Sequence, residues 1–173
     1  MGDEPDRSRH PGGAARFWTA ANARRWERAL EIEAEHGLAV CDTDPSSSTT
    51  CGPCGRSARL PRRRGETEAA VNRELFVEGR LGLADVVLCE ILDREELRRW
   101  RDSDTTRTRR RFGLHERLTE PVRAWYSTVD ALDPGRVRWS LPADGVLGEL
   151  PAPGPDRSSV ELFDRLVDEG TRL

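Results

Sequence analysis

An α/β fold is what this sequence predicts, a parallel sheet covered by helices in a single domain over residues 14–173. Three observations carry that expectation. Segments with helical periodicity alternate with short apolar runs, in the order helix, strand, helix, strand, two helices, strand, helix, and such alternation favours parallel strands joined by crossover helices. Val86-Val87-Leu88-Cys89 is continuously apolar, as a strand covered on both faces requires. Asp42 and Asp44 stand just past another apolar run, at the carboxyl end of a strand, where open α/β sheets place their functional groups.

In chain order, residues 1–13 form a leader rich in Gly, Pro and charge, expected to be disordered. Residues 14–36 read as a long helix closed by Gly37. Trp18, Ala21, Ala29 and Ile32 make one stripe at 3.6 residues per turn, widened by Trp26 and Leu30. Residues 38–41 are a short strand feeding the polar loop Asp42-Thr43-Asp44-Pro45. Residues 46–65 have no period at all, which is long for a structureless loop inside a domain. Residues 66–80 return to a helix that buries Val71, Leu75 and Phe76, and the strand of residues 85–92 follows. Asp93 with Glu96 three residues on is a capping box opening a helix to about Arg101. An Arg-rich link spans residues 102–112. Leu114, Leu118, Val122, Trp125, Val129 and Leu132 mark the clearest helix, with Pro121 inside it as a potential kink. Residues 137–141 are the third strand, and Ser158 with Glu161 caps a last helix through Asp168.

Composition narrows the function classes. The net charge of −3 over 173 residues disfavours a dedicated nucleic-acid binder. No run reaches the ~18 apolar residues of a membrane span, and residues 1–13 have no apolar signal core, so a cytoplasmic location without a membrane partner is expected. All 28 basic residues are Arg, and Lys is absent. The bias reads as GC-rich coding, but it has a chemical consequence: a phosphate loop of the form G-x-x-x-x-G-K-[ST] needs a Lys on the nucleotide phosphates.

Each functional constellation has a plain counterpart. Asp42 and Asp44 suit positioning of a magnesium ion or a substrate hydroxyl, although taken alone Asp-Thr-Asp-Pro reads first as an Asx turn. Arg107, Arg110 and Arg111 suit a flap whose guanidiniums clamp phosphates, or a solvated basic segment. The Trp stripes read as core, and His36 and His115, near helix ends, read as structural or exposed. Cys51-Gly52-Pro53-Cys54 matches a dithiol redox tetrapeptide, but it neither follows a strand nor opens a helix. Zinc would need a second close pair of ligands, which Cys41, Cys89 and His36 do not offer. No metal ligand is assigned.

Three stretches together resemble bacterial P-loop nucleoside/nucleotide-kinase-like ATP-binding proteins, often labelled AAA-family ATPases. They are Asn22-Ala23-Arg24-Arg25-Trp26 through Val40-Cys41-Asp42-Thr43-Asp44-Pro45; Gly79-Arg80-Leu81-Gly82-Leu83-Ala84-Asp85; and residues 102–111 through Leu114-His115-Glu116-Arg117-Leu118 to Trp125-Tyr126. The resemblance covers most of residues 16–145 except 46–65. It implies an incomplete P-loop-kinase-like sheet lacking the N-terminal phosphate loop and its strand. It further implies ATP and magnesium as cofactors and phosphoryl transfer to a small nucleoside- or nucleotide-like acceptor. Asp42 and Asp44 carry over to catalysis at the acceptor, and Arg107, Arg110 and Arg111 to a lid on the transferring phosphates. Without the loop amides and Lys, tight ATP binding is not expected and the chain reads as an inactive remnant of a longer kinase. The alternatives are a non-enzymatic α/β pseudokinase or interaction module, or a dithiol redox protein. Within the resemblance, residues 46–65 stand apart. Codons rebuilt one base out of frame turn residues 46–56 into Phe-Gln-Leu-His-Tyr-Val-Trp-Pro-Leu-Trp-Ser, which has the character of a helix. The segment is either genuine or bounded by compensating frameshifts, and in the latter case its Cys-Gly-Pro-Cys is an accident of frame.

Overall fold

The computed structural model describes residues 11–42, 62–106, 112–140 and 149–172. Its elements in chain order are α1 (Pro11–His36), α2 (Arg62–Val77), β1 (Val87–Leu88), α3 (Arg94–Ser103), α4 (Phe112–Leu132), β2 (Val137–Arg138) and α5 (Val160–Arg172). The mixed α/β class is therefore observed, with a sheet reduced to one parallel pair, Val87 opposite Val137 and Leu88 opposite Arg138. The connection between these strands runs through α3 and α4, the helical crossover that parallel pairing demands.

The helices form where the periodicity places them. Gly37 ends α1 with φ of 79° while its amide donates to the Glu33 carbonyl at 2.7 Å, a left-handed closure that glycine adopts without steric cost. Asp93 caps α3 in the expected reciprocal way: its carboxylate accepts the Glu96 amide at 2.8 Å, and the Glu96 side chain accepts from the Asp93 amide at 3.4 Å. α4 continues through Pro121 without a break. Trp26, Phe76, Trp125, Val129, Phe163 and Leu166 meet in one core, with the Phe76 and Phe163 rings stacked at 4.5 Å. α1 packs on α2, and α5 lies against both α2 and α4. Trp26 and Trp125 are buried as the stripes require, whereas Trp18 is partly buried and Trp100 is 65% exposed.

Four expectations are corrected. Residues 38–41 form no strand; they run unpaired from Gly37, with Val40 81% exposed. An apolar run becomes a strand only where a partner edge satisfies its backbone groups, and among the described residues none pairs with it. Asp42 consequently follows irregular backbone rather than a strand end. The second and third strands shrink to two residues each, because the ladder is confined to the Val87–Val137 and Leu88–Arg138 pairs. The last helix is capped by Ser159, not Ser158: the Ser159 hydroxyl accepts the Leu162 amide at 3.2 Å. Helix bounds shift as well: α1 begins at Pro11, before the boundary at residue 14, and α2 spans Arg62–Val77 rather than residues 66–80, so its first turn lies in the stretch read as having no period. No helix among the described residues is long and apolar enough to cross a membrane.

Candidate functional site

A cavity of about 470 Å3 opens between the second half of α1, the irregular stretch after it, β1 and the residues leading into α5. Its apolar wall includes Trp26, Leu30, Val87, Leu150 and Tyr126. Its size falls in the range of small-molecule sites, which are mostly apolar with a few placed polar groups. Those groups are Glu33, Asp42, Asp85 and Arg157.

The backbone sets their positions. The Leu83 amide donates to the Arg157 carbonyl at 2.8 Å, and the Gly154 amide donates to Asp85 Oδ1 at 2.9 Å, so the segment before α5 is strapped to the chain entering β1. Gly82 permits the close approach: a Cβ there would stand 2.5 Å from Trp26 Cζ2 and 2.9 Å from the Arg157 carbonyl oxygen. Arg136, only 8% exposed, secures the other side of the same stretch, donating to the Ala84 carbonyl and to Asp133, each at 2.6 Å.

Arg157 sits between two carboxylates. Its guanidinium donates to both oxygens of Glu33 at 2.6 and 2.7 Å and to both oxygens of Asp85, at 2.9 Å to Oδ1. The hydrogen bonds from Arg157 hold the Glu33 carboxyl below its ordinary range, against the opposing effect of burial. Burial by itself would raise the Asp85 carboxyl, but hydrogen bonds from Arg157 and the Gly154 amide outweigh it and the group is held low. Glu33 first and Asp85 second push Arg157 in the opposite direction, so it stays charged. All three are ionised at neutral pH.

Of the candidate catalytic and phosphate-binding residues read from the sequence, the described structure brings one to this site. Asp42 lies on the cavity lining, exposed, and no partner for it is found among the described residues. Asp44, Arg107, Arg110, Arg111, Cys51 and Cys54 lie outside the described residues. Glu33, Asp85 and Arg157 were not legible in advance. They stand 52 and 72 residues apart along the chain, and no local spacing signals that a helix, a turn and a loop will converge on one guanidinium.

The described lining does not fit MgATP. Its one cation is Arg157, whose donors are taken by two carboxylates, and the phosphates would meet net negative charge. Among the described residues no group of three or more His, Cys, Asp and Glu is placed to hold a metal ion. Fold and site thus define an α/β chain with a small apolar cavity of acidic rim. Comparison with protein-family models, curated proteins and solved structures found no match.

Proposed function

We propose that this is a P-loop kinase-like protein of phosphotransferase ancestry that binds a small hydroxyl-bearing, nucleoside-like acceptor in the cavity and is itself a poor ATP binder. One observation carries the reading: Asp42, the residue that the resemblance assigns to the acceptor, lines the cavity. A carboxylate there accepts a hydrogen bond from the acceptor hydroxyl, the positioning that phosphoryl transfer asks of its nucleophile. Asp44 would share that work, and Arg107, Arg110 and Arg111 would attend the phosphates. The chain nevertheless has no Lys and no G-x-x-x-x-G-K-[ST] segment, so the amides and the cation that cradle the β- and γ-phosphates in such kinases are lacking.

The test is peptide-resolved alkylation of Cys41, an exposed thiol on the cavity lining, with adenosine, cytidine or MgATP present. A nucleoside is expected to slow alkylation saturably, and Asp42→Asn to weaken that protection about tenfold, the loss of one hydrogen bond to a charged group. MgATP is expected to bind without micromolar affinity by calorimetry. Micromolar, magnesium-dependent ATP binding would overturn the reading, and so would the failure of every nucleoside to protect. The latter result would favour the interaction-module reading, which has its own support: Leu38 and Val40, on the lining they share with β1, are 46% and 81% exposed, apolar surface that a partner segment could cover.

A further inference from the structure

The charges that the described residues place around the cavity are unequal, and the imbalance selects an occupant. Three of its described lining residues are acidic, Glu33, Asp42 and Asp85, and one is basic, Arg157, so the formal balance is two negative charges. Arg157 cannot serve as an anion receptor. Its side chain is only 14% exposed, and its donors are aimed at Glu33 and Asp85, within 2.6–2.9 Å for the bonds along Nη1, Nη2 and Nε that bracket it. A phosphate or carboxylate entering the cavity would have to displace one of these carboxylates and leave it partly buried without its cation, which is a strongly unfavourable exchange. The clasp therefore presents one net negative charge, and Asp42 adds a second from the rim.

The apolar wall reinforces the same choice. Trp26 and Tyr126 both line the cavity, and aromatic rings attract cations through their quadrupoles. Leu30, Val87 and Leu150 offer surface to an apolar body. We propose that the cavity is a site for small cationic amphiphiles, a protonated amine on an aromatic or aliphatic body, and that it rejects phosphate- and carboxylate-bearing molecules. For a phosphotransferase this would make the acceptor a hydroxyl-bearing amine rather than a nucleotide. The inference rests on the cavity as a ligand site and on its charge, and it stands apart from the kinase resemblance.

Three probes of one shape test it on the intact chain: 2-phenylethylamine, 2-phenylethanol and 3-phenylpropionate, each followed by protection of Cys41 and by amide chemical-shift titration. The amine should bind about tenfold more tightly than the alcohol, as expected for one partly screened charge pair, and the propionate most weakly. Added salt should narrow the gap between amine and alcohol. Asp42→Asn, at an exposed position that the fold does not depend on, should lower the amine's affinity by more than the alcohol's, because only the amine loses a charge partner. Equal affinities for the three, or tightest binding of the propionate, would overturn the charge selection while leaving the cavity a ligand site. Failure of all three to saturate up to their solubility would overturn the inference entirely. Nucleoside protection with no preference for the amine would uphold the proposed function and sink this inference, and the converse pattern would do the reverse.

Discussion

Gly79 and Gly82 stand three residues apart and are glycines for different reasons. Gly79 has φ of 66° with open space around it, so its requirement is conformational. Gly82 is buried, and a side chain there would meet the Trp26 ring and the Arg157 backbone, so its requirement is steric. Neither neighbour yields easily: Trp26 is seated in the core at 5% exposure, and the Arg157 carbonyl accepts the Leu83 amide. Gly82→Ala should therefore destabilise the chain by about 1–3 kcal/mol, the usual cost of overpacking, and lower the melting temperature by several degrees. Near-ultraviolet circular dichroism should change with it as the indole moves. An unaltered melting temperature and spectrum would show that the close approach is not a constraint. The sequence displays both glycines equally, and it cannot tell them apart, because the crowding around Gly82 comes from residues 56 positions before and 75 after it. Asp42 is the opposite case, a residue marked by its sequence context that does reach the cavity.

Among the elements, α3 depends most on its own ends. It buries no residue, so tertiary packing contributes little and the capping box carries much of its stability. Removing the cap by Asp93→Ala should cost about 1 kcal/mol and speed amide exchange within residues 94–103 ahead of the rest of the molecule. Exchange in α3 that stays as slow as in α5 would contradict that account. The contrast with residues 38–41 explains where element prediction failed. A capping box is a local device, complete within four residues, so Asp93 and Glu96 announce it. A strand is half of a pair. The apolar run 38–41 has the composition of a strand, but its pairing depends on what lies beside it, and among the described residues β1 pairs with β2 alone.

Across the whole molecule, Arg157 ties three distant segments together, joining α1 through Glu33 and the entry to β1 through Asp85. The side chains are 14–23% exposed, buried enough for the pairing to matter. Arg157→Met would leave two carboxylates facing each other without their cation, and the loss should be about 2–3 kcal/mol after allowance for solvent. That corresponds to a fall in melting temperature of about 4–10 °C for a chain of this size. Adding Glu33→Gln and Asp85→Asn should recover most of the loss, since a neutral set of similar volume has no unpaired charge. Linkage fixes the pH dependence. Both carboxyls are held low in the folded state, so their contribution is fully present above the unfolded values near pH ~4 and disappears as pH falls through the folded ones. The gap between the parent chain and Arg157→Met should accordingly be widest near neutral pH and shrink below about pH 4 in thermal melts; a constant gap would show that the pairs contribute nothing. By itself the sequence determined what local chemistry determines: the helices by their apolar period, the cap of α3, the closing turn at Gly37, and the apolar runs that supply β1 and β2. Tertiary structure alone decided which run found a partner, which glycine was crowded, and which acids Arg157 would join. Periodicity and capping act over one or two turns of chain, whereas pairing, packing and the charge of a cavity depend on residues that only the fold brings within a few ångströms.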